Sequence, residues 1–320
     1  MTLMRYSARL AAACLVVTVG LCPVTYAQGT GATLNEVVAP GNNFDKAEFR
    51  LWYPSAPKGL RAIVILVPGS NGDGRAQVDD PVWQAFATTH QLALVGVRLT
   101  DKPHDQSFIE HYVNVSQGSG QALLDALTAF AREARHPELA TAPLLLWGMS
   151  AGGEFNYEFV NWKPERVIGF VVNKGGIYYT ALTSQAARRV PGLLFIGGKD
   201  LDSRVQTITG LFALNRRAGA LWALAEEPGA AHVVGRSRDL AMMFFEDILP
   251  LRLAERTSND TGPVPLRPLE ESSGFLGDAR ARTVRKVGEG NAPGYPTAWL
   301  PTVRVATAWE ALLTERPFAP

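Results

Sequence analysis

One serine lies in a pattern that is typical of a catalytic nucleophile. The residues around Ser150 read Gly-Met-Ser-Ala-Gly-Gly, with an apolar run at residues 144–147 before them and a helix-compatible stretch at residues 154–162 after them. This order predicts a sharp strand-to-helix turn that holds the serine hydroxyl clear of the backbone. Small residues are needed beside the serine because strand and helix nearly touch there. A glycine-rich turn with a solvated serine is the alternative, since the chain has 30 glycines among 320 residues.

A serine hydroxyl needs a base to take its proton and an acid to orient that base. On such a turn the expected chain order is serine, acid, histidine. Of five histidines only His232 follows Ser150, and it lies in a loop after a predicted strand at residues 221–225. Asp200 ends a Gly-Gly-Lys-Asp turn after the preceding predicted strand, and Asp202 is the rival acid. We therefore predict a triad of Ser150, Asp200 and His232, with a structural histidine and a turn or helix-cap aspartate as the alternatives.

The same chemistry predicts donors for an oxyanion. Ester and amide hydrolysis pass through a tetrahedral intermediate whose negative oxygen needs preset N–H groups. One donor should be the backbone N–H of Ala151, directly after the nucleophile. The other should come from residues 68–74, Pro-Gly-Ser-Asn-Gly-Asp-Gly, which follow an apolar strand at residues 61–67; Ser70 is the first choice and Asn71 the second. This segment lacks the Gly-Lys-Ser/Thr ending of a phosphate-binding loop, so we do not assign it to phosphate.

Aromatic and apolar residues near these loops are candidates for a substrate pocket, although aromatic residues are more often core. The candidates are Asn71, Trp83, Met149, Phe155, Tyr157, Tyr178 and Tyr179. His104, Asp105 and His111 lie in a polar loop without the tight spacing of a metal site, so we interpret them as solvated loop residues. The sequence therefore predicts neither a metal nor a cofactor.

The predicted elements alternate between apolar runs and helix-period segments. Predicted strands cover residues 48–53, 61–67, 92–97, 143–147, 167–172, 192–196 and 221–225. Predicted helices cover residues 81–90, 121–135, 154–162, 208–218 and 240–249, with a short one at residues 306–313. Strands without polar alternation are buried on both faces, which predicts a mostly parallel sheet with helices on each side. Ligands of such sheets bind at the carboxyl ends of the strands, where the loops of the predicted triad lie.

Taken together, the motif around Ser150, the segment 68–72, the turn at residues 197–200 and His232 resemble those of secreted α/β-hydrolases. Within that superfamily the chain is most similar to esterases of the polyhydroxybutyrate-depolymerase and feruloyl-esterase type. The resemblance spans residues 48–250. It implies an α/β-hydrolase fold and serine-hydrolase catalysis on carboxylic esters without a cofactor. Many relatives have His-Gly before the oxyanion loop, where this chain has Pro-Gly.

The N-terminal residues 1–27 have the composition of a secretory signal peptide. Two arginines precede an apolar run at residues 10–21, which is too short to span a bilayer, and Thr-Tyr-Ala at residues 25–27 suits cleavage. A lipoprotein signal with Cys22 is the alternative. Cleavage removes both cysteines and two of 31 basic residues, which leaves 29 against 30 acidic residues and a formal net charge of −1. We expect a secreted or periplasmic protein with no membrane anchor after cleavage and no nucleic-acid partner.

The chain divides into segments of different composition. We predict a flexible lead-in at residues 28–43, one α/β catalytic domain at residues 44–251, and an irregular C-terminal extension at residues 252–320 that packs on the domain through apolar anchors. The extension begins with an aperiodic Pro-, Ser- and Asp-containing linker at residues 256–268. The oligomeric state is left open.

Three functions fit these observations. The first is hydrolysis of small-molecule or polymeric esters. The second is an amidase or peptidase on an extracellular polyamide such as poly(aspartic acid), which would need a basic groove; the candidates for it are Lys174, Arg188, Arg189, Arg236 and Arg238. The third is a non-catalytic binding protein on a hydrolase scaffold. The order of serine, acid and histidine favours an enzyme.

Overall fold

The computed structural model describes residues 30–55, 59–254, 264–291 and 293–319. The predicted signal peptide, both cysteines and part of the predicted linker lie outside these ranges. The strands are β1 (Gly31–Val38), β2 (Lys46–Pro54), β3 (Ala62–Val67), β4 (Leu92–Thr100), β5 (Leu144–Gly148), β6 (Val167–Asn173), β7 (Gly192–Gly197), β8 (Trp222–Glu227), β9 (Phe275–Asp278), β10 (Thr283–Lys286) and β11 (Ala298–Leu300). The helices are α1 (Pro81–His90), α2 (Ser119–Glu133), α3 (Ala151–Trp162), α4 (Gln185–Arg188), α5 (Asp202–Arg217), α6 (Ser237–Arg252) and α7 (Val303–Leu313).

An eight-stranded sheet lies at the centre of the molecule, with the strand order β1-β2-β4-β3-β5-β6-β7-β8. All pairs from β4 to β8 are parallel, whereas β1 and β2 pair antiparallel with their neighbours. The strands β3, β5, β6 and β7 are buried along their whole length. A strand covered on both faces has no reason to alternate with polar residues, and this explains their continuous apolar sequences. The predicted mostly parallel sheet is confirmed.

Helices cover both faces of this sheet. Successive side chains of a strand point to opposite faces, so Ile63 and Ile65 of β3 enter one core layer, and Val64 and Leu66 enter the other. The first layer is completed by α2, α3 and α5, and the second by α1, α6 and α7. Among the described residues, no helix combines the length and apolar character needed to cross a membrane.

The flexible lead-in predicted for residues 28–43 is wrong over the span of β1. Gly31–Val38 pairs with β2 along its full length. Its residues alternate between exposed and half-buried, as expected of an edge strand with one face against the protein, and Leu34 and Val38 pack on the core. The sequence signal was weak because only one face of the strand is apolar, and that face includes Glu36.

The C-terminal extension has more regular structure than its composition indicated. It contains a three-stranded antiparallel sheet of order β10-β9-β11, followed by α7. Trp309 of α7 is fully buried, and its indole N–H donates a hydrogen bond of 2.8 Å to the Leu224 carbonyl of β8. Leu312 packs in the same core layer as α6. The extension therefore covers the face of the sheet next to the strand that leads to His232.

Candidate active site

Ser150 occupies a strained turn between β5 and α3. Its backbone has φ +55° and ψ −125°, a conformation that residues with a side chain rarely adopt. The Ser150 N–H donates to the Asn173 carbonyl at 2.8 Å, which anchors the turn to β6. A Cβ on Gly148 would collide with the backbone of Gly152, and a Cβ on Gly152 would collide with the Val67 carbonyl. Glycine at both positions therefore allows the turn to place the serine at the carboxyl ends of the strands.

Asp200 and His232 meet at the same edge of the sheet. Asp200 follows β7, His232 lies in the loop after β8, and His232 Nδ1 is 2.8 Å from Asp200 Oδ2. The aspartate side chain is 2% exposed and the histidine side chain 31% exposed. Asp202 begins α5 as an exposed residue, and among the described residues no hydrogen bond or ion pair joins it to His232. Of the two candidate acids, it is thus Asp200 that pairs with the histidine.

The surroundings of Asp200 keep its carboxylate charged. Burial alone would raise the pKa of Asp200, but the hydrogen bonds from His232 and from the Leu201 N–H, with the nearby charge of Arg204, lower it below its usual range. An ionised carboxylate can only accept hydrogen bonds, so Nδ1 of His232 carries the proton. Nε2 of the ring is therefore the free acceptor that a general base needs.

Among the described residues, the side chains of Ser150 and His232 are not hydrogen-bonded to each other. The two residues come from β5 and β8, which are separated by β6 and β7. Hydrogen bonds of a catalytic base are often long in a ligand-free site and tighten when substrate binds. The structure thus pairs His232 with Asp200 and places Ser150 at the same sheet edge.

Two backbone N–H groups near Ser150 are free to bind an oxyanion. Ala151 is the first residue of α3, where an N–H has no acceptor within the helix. The loop after β3 lies against the serine, since a Cβ on Gly69 would be 3.5 Å from Ser150 Cβ. In that loop the Asn71 N–H donates to the Tyr112 hydroxyl at 3.2 Å, whereas no hydrogen bond of the described residues uses the Ser70 N–H. The available pair is thus Ala151 and Ser70, not Asn71.

Three of the predicted pocket residues belong to the core. Trp83 is 2% exposed and packs against Trp147, with ring centroids 6.0 Å apart. Phe155 and Tyr157 are buried on α3, in the core layer on the face of the sheet opposite to Trp83. The prediction was wrong for these residues because the apolar face of a helix beside a parallel sheet is covered by the sheet itself.

The other predicted pocket residues lie at the carboxyl edge of the sheet. Met149 is half-buried beside Ser150, and Asn71 is exposed, with its side-chain oxygen accepting the Asp101 N–H at 2.7 Å. Tyr179 is 45% exposed and borders a cavity of about 510 Å³ lined mainly by asparagine and glutamine side chains. Tyr178 instead has its hydroxyl buried next to the carboxyl of Glu154. Met149, Asn71 and Tyr179 therefore remain candidates to touch a substrate.

The polar loop with two histidines shows no metal geometry. The rings of His104 and His111 stack with centroids 4.3 Å apart, and His111 Nε2 lies 2.8 Å from Gln106 Oε1. His104 Nε2 is 3.4 Å from Asp101 Oδ2. In the part of the chain that the structure describes, no three His, Cys, Asp or Glu side chains converge as metal ligands.

The candidate basic groove does not form. Lys174 is fully buried and pairs with Glu227 at 3.1 Å. The guanidinium groups of the arginines point to other partners: Arg188 donates to the Thr183 carbonyl, Arg189 pairs with Glu270, Arg236 stacks on Phe318, and Arg238 pairs with Asp80. These side chains therefore offer no shared surface to a polyanion.

Two charged residues near the site had no function assigned from the sequence. Glu154, four residues after Ser150, is buried, and this burial raises the pKa of its carboxyl to about 7 against opposing hydrogen bonds from the Gly176 and Ile177 N–H groups. Glu227, at the end of β8, forms the buried pair with Lys174. Neither has a sequence signal, because a glutamate after an apolar run is usually solvated.

Comparison with known proteins identifies the fold. No protein-family model matches the sequence, and no curated protein matches it. A ferulic acid esterase structure is similar with a TM-score of 0.51 and 10% identity, over 70% of this chain and 99% of that chain. Also similar is a putative dienelactone hydrolase from Klebsiella pneumoniae subsp. pneumoniae, with 19% identity and a TM-score of 0.44 over 65% of this chain and 90% of that chain. A third similar structure is the fluorophosphonate-binding serine hydrolase F of Staphylococcus aureus, with 11% identity and a TM-score of 0.48 over 69% of this chain and 99% of that chain. At such identities the likeness shows the fold alone: this chain has the α/β-hydrolase fold, as predicted.

Proposed function

We propose that this protein is a serine hydrolase that cleaves carboxylic esters. The observation that carries the proposal is the 2.8 Å hydrogen bond between Asp200 and His232 at the sheet edge where the strained turn presents Ser150. A base held by a buried acid, beside a serine with two free N–H groups, is the arrangement that acyl transfer requires.

In the first half of the reaction His232 Nε2 takes the proton of the Ser150 hydroxyl while Oγ forms a bond to the ester carbonyl carbon. The carbonyl electron pair moves to its oxygen, and the Ala151 and Ser70 N–H groups stabilise that negative charge. The intermediate collapses when the bond to the alcohol oxygen breaks and His232 gives its proton to that oxygen. Asp200 stays ionised throughout and stabilises the imidazolium.

In the second half a water molecule replaces the alcohol. His232 takes a proton from the water, whose oxygen attacks the acyl carbon of the Ser150 ester. The same two N–H groups hold the second oxyanion, and collapse returns the proton to Ser150 Oγ and releases the carboxylic acid. Because His232 gains and loses one proton in each half, the reaction needs no further co-reactant.

The proposed substrate is a small-molecule or polymeric ester. The proposed site of action is outside the cytoplasm. The absence of a basic groove among the described residues argues against polyaspartate, because the candidate cations are buried or paired elsewhere. The signal-like composition of residues 1–27 supports secretion to the periplasm or the medium.

The test compares the mature protein with Ser150→Ala on p-nitrophenyl esters from acetate to octanoate, and on polyester and polyaspartate films. Ser272→Ala, an exposed serine in the extension, is the matched control. We expect ester turnover in the wild type and the control, and its loss in Ser150→Ala. Product release from polyaspartate alone would replace the esterase by an amidase, and inactivity on every substrate would contradict the proposal.

A further inference from the structure

A lysine is buried at the edge of the sheet between the nucleophile turn and the acid turn. Lys174 directly follows β6, has a left-handed backbone with φ +55°, and is 0% exposed. Its ammonium donates to Asn173 Oδ1 and to Glu227 Oε2, both at 3.1 Å. Asn173 is the residue whose carbonyl anchors the Ser150 N–H. The lysine thus connects the end of β6 with the end of β8.

Glu227 fastens both ends of the loop that carries His232. Its second carboxylate oxygen, Oε1, accepts the Arg236 N–H at 2.7 Å, so this side chain joins the end of β8 to the last residue of the loop. The Glu227 carbonyl accepts the Gly198 N–H at 2.9 Å. In addition, the Lys199 N–H donates to the Ala230 carbonyl at 2.9 Å. The loop of His232 and the turn of Asp200 are therefore tied to each other next to Glu227.

Two glycines make room for the buried pair. Gly235 has φ +56°, and a Cβ there would collide with the Glu227 carboxylate. A Cβ on Gly197 would lie 2.5 Å from the Ala230 carbonyl oxygen, 2.8 Å from the Ala231 carbonyl oxygen and 3.1 Å from Lys174 Cε. The local sequence is thus fitted to the ion pair, since a side chain at either position would displace it.

Stability alone does not account for this arrangement. Burial lowers the pKa of Lys174, while the charge and the hydrogen bond of Glu227 and the charge of Asp200 oppose that shift. A buried ion pair is often no more stabilising than apolar residues of the same size, because both charges lose their water. What the pair provides is geometry: two directional contacts on Lys174 and two on Glu227.

We propose that Lys174 and Glu227 are positioning residues that hold His232 in reach of Ser150 and in register with Asp200. The inference rests on the proposed hydrolase function. A shift of about 1 Å in a catalytic group can cost about 100-fold in rate. Loosening of the loop therefore lowers kcat, while KM, which depends on the substrate pocket, changes little.

The test uses Lys174→Met, the double variant Lys174→Met/Glu227→Gln, and Lys163→Met as the control. Lys163 is half-exposed, and its ammonium lies 4.0 Å from the Glu165 carboxylate and over the Trp162 ring, away from the loop of His232. In Lys174→Met, which leaves the Glu227 carboxylate buried without its cation, we expect kcat to fall by about 100-fold with KM within about twofold. The double variant should recover at least about tenfold of that loss, because glutamine is neutral and still accepts the Arg236 N–H.

Hydrogen–deuterium exchange of residues 228–236 is the second readout, which does not depend on activity. We expect these amides to exchange faster in Lys174→Met than in the wild type, and to be unchanged in Lys163→Met and Ser150→Ala. Unchanged loop exchange, or no recovery in the double variant, would overturn the inference. If the wild type hydrolyses no ester, the proposed function fails, and loop exchange alone then decides whether the pair holds the loop.

Discussion

Several charged side chains are buried around the proposed triad. They differ in how far hydrogen bonds and opposite charges offset the cost of burying them. Asp200 accepts hydrogen bonds from three groups, which keeps its carboxylate ionised. Lys174 and Glu227 compensate each other. Glu154 accepts the Gly176 N–H at 2.6 Å, but its Oε2 is buried without a hydrogen-bond partner among the described residues. Glu154 is therefore the carboxyl whose charge the fold tolerates least.

The stability of the protein should respond to pH through Glu154. Burial raises the pKa of its carboxyl from 4.5 to about 7, so the folded state holds a proton that the unfolded state loses between those values. Tighter binding of this proton stabilises the folded state. The stabilisation is fully present below pH 4.5 and is lost as the pH rises through about 7. Relative to Glu154→Gln, the wild type should lose roughly 1–3 kcal/mol of unfolding free energy between about pH 5 and pH 8.

Urea unfolding at both pH values measures this difference. Glu165→Gln, at an exposed glutamate of the turn before β6, is the control and should follow the wild type. Parallel pH dependence in Glu154→Gln and the wild type would show that the Glu154 carboxyl titrates as it does in the unfolded chain.

The sequence predicted the triad residues because serine, acid and histidine are expected in a fixed order along such a chain. Ser150, Asp200 and His232 follow from a motif and from the position of each residue after a predicted strand. Trp83 was misplaced, because apolar sequence does not tell which face of a helix meets the sheet. Lys174 was considered as one candidate for a basic groove. Its burial was not predicted, since it depends on a partner 53 residues away.

The contact between β5, β3 and α3 sets the position of Ser150, the proposed nucleophile. Gly152, in the first turn of α3, lies against the carbonyls of Val67 and Pro68, so the helix begins almost on top of β3. The same close approach brings the loop with Ser70 next to the serine. Ser150 and the loop with Ser70 are thus placed by one packing contact between backbone atoms.

Gly152→Ala tests this contact. The added Cβ meets backbone carbonyls, which cannot rotate away as a side chain can, so we expect a loss of roughly 1–3 kcal/mol or more in unfolding free energy, with loss of ester turnover. Gly210→Ala, inside α5 with nothing within 4 Å of the added Cβ, should instead stabilise the protein by about 0.5–1 kcal/mol. Normal stability and turnover in Gly152→Ala would contradict the close approach of helix and strand.

The elements that were predicted best are a helix with clear start and stop signals and strands that are buried on both faces. Residues 81–90 were predicted as a helix with the bounds that the structure has, and the strand predicted at residues 167–172 differs from β6 by one residue. Missing from the prediction were β1, β9, β10 and β11, which are short or partly exposed. Such strands depend on pairing with a distant partner, and local sequence carries little of that information.

The domain and the C-terminal extension share one core. Trp309 and Leu312 of α7 pack with Phe244 of α6, and Trp299 of β11 packs with Leu221 just before β8. The last described residues reach the loop of His232, where Arg236 donates to the Arg316 carbonyl at 2.7 Å. The extension is thus part of the unit that supports the site.

Removal of one anchor should therefore destabilise the whole molecule. Trp309→Ala empties a fully buried site and leaves the Leu224 carbonyl without its donor, for a cost of roughly 3–5 kcal/mol. Val303→Ala, at an exposed position of the same helix, is expected to stay within about 0.5 kcal/mol of the wild type. Denaturant unfolding followed by fluorescence and by ester turnover should give one shared transition. Two transitions, with turnover surviving the first, would show that the extension is an independent unit.

The most direct test of the proposed chemistry is covalent labelling of Ser150. A fluorophosphonate reacts with a serine only when a base activates its hydroxyl, so intact-mass and peptide-mass measurements report on the triad without assuming a substrate. We expect one adduct per chain, located on Ser150 and absent in Ser150→Ala, with labelling slowed by about 1,000-fold or more in His232→Ala. A folded wild-type protein that acquires no adduct, or an adduct that persists in Ser150→Ala, would contradict the assignment of Ser150 as the nucleophile.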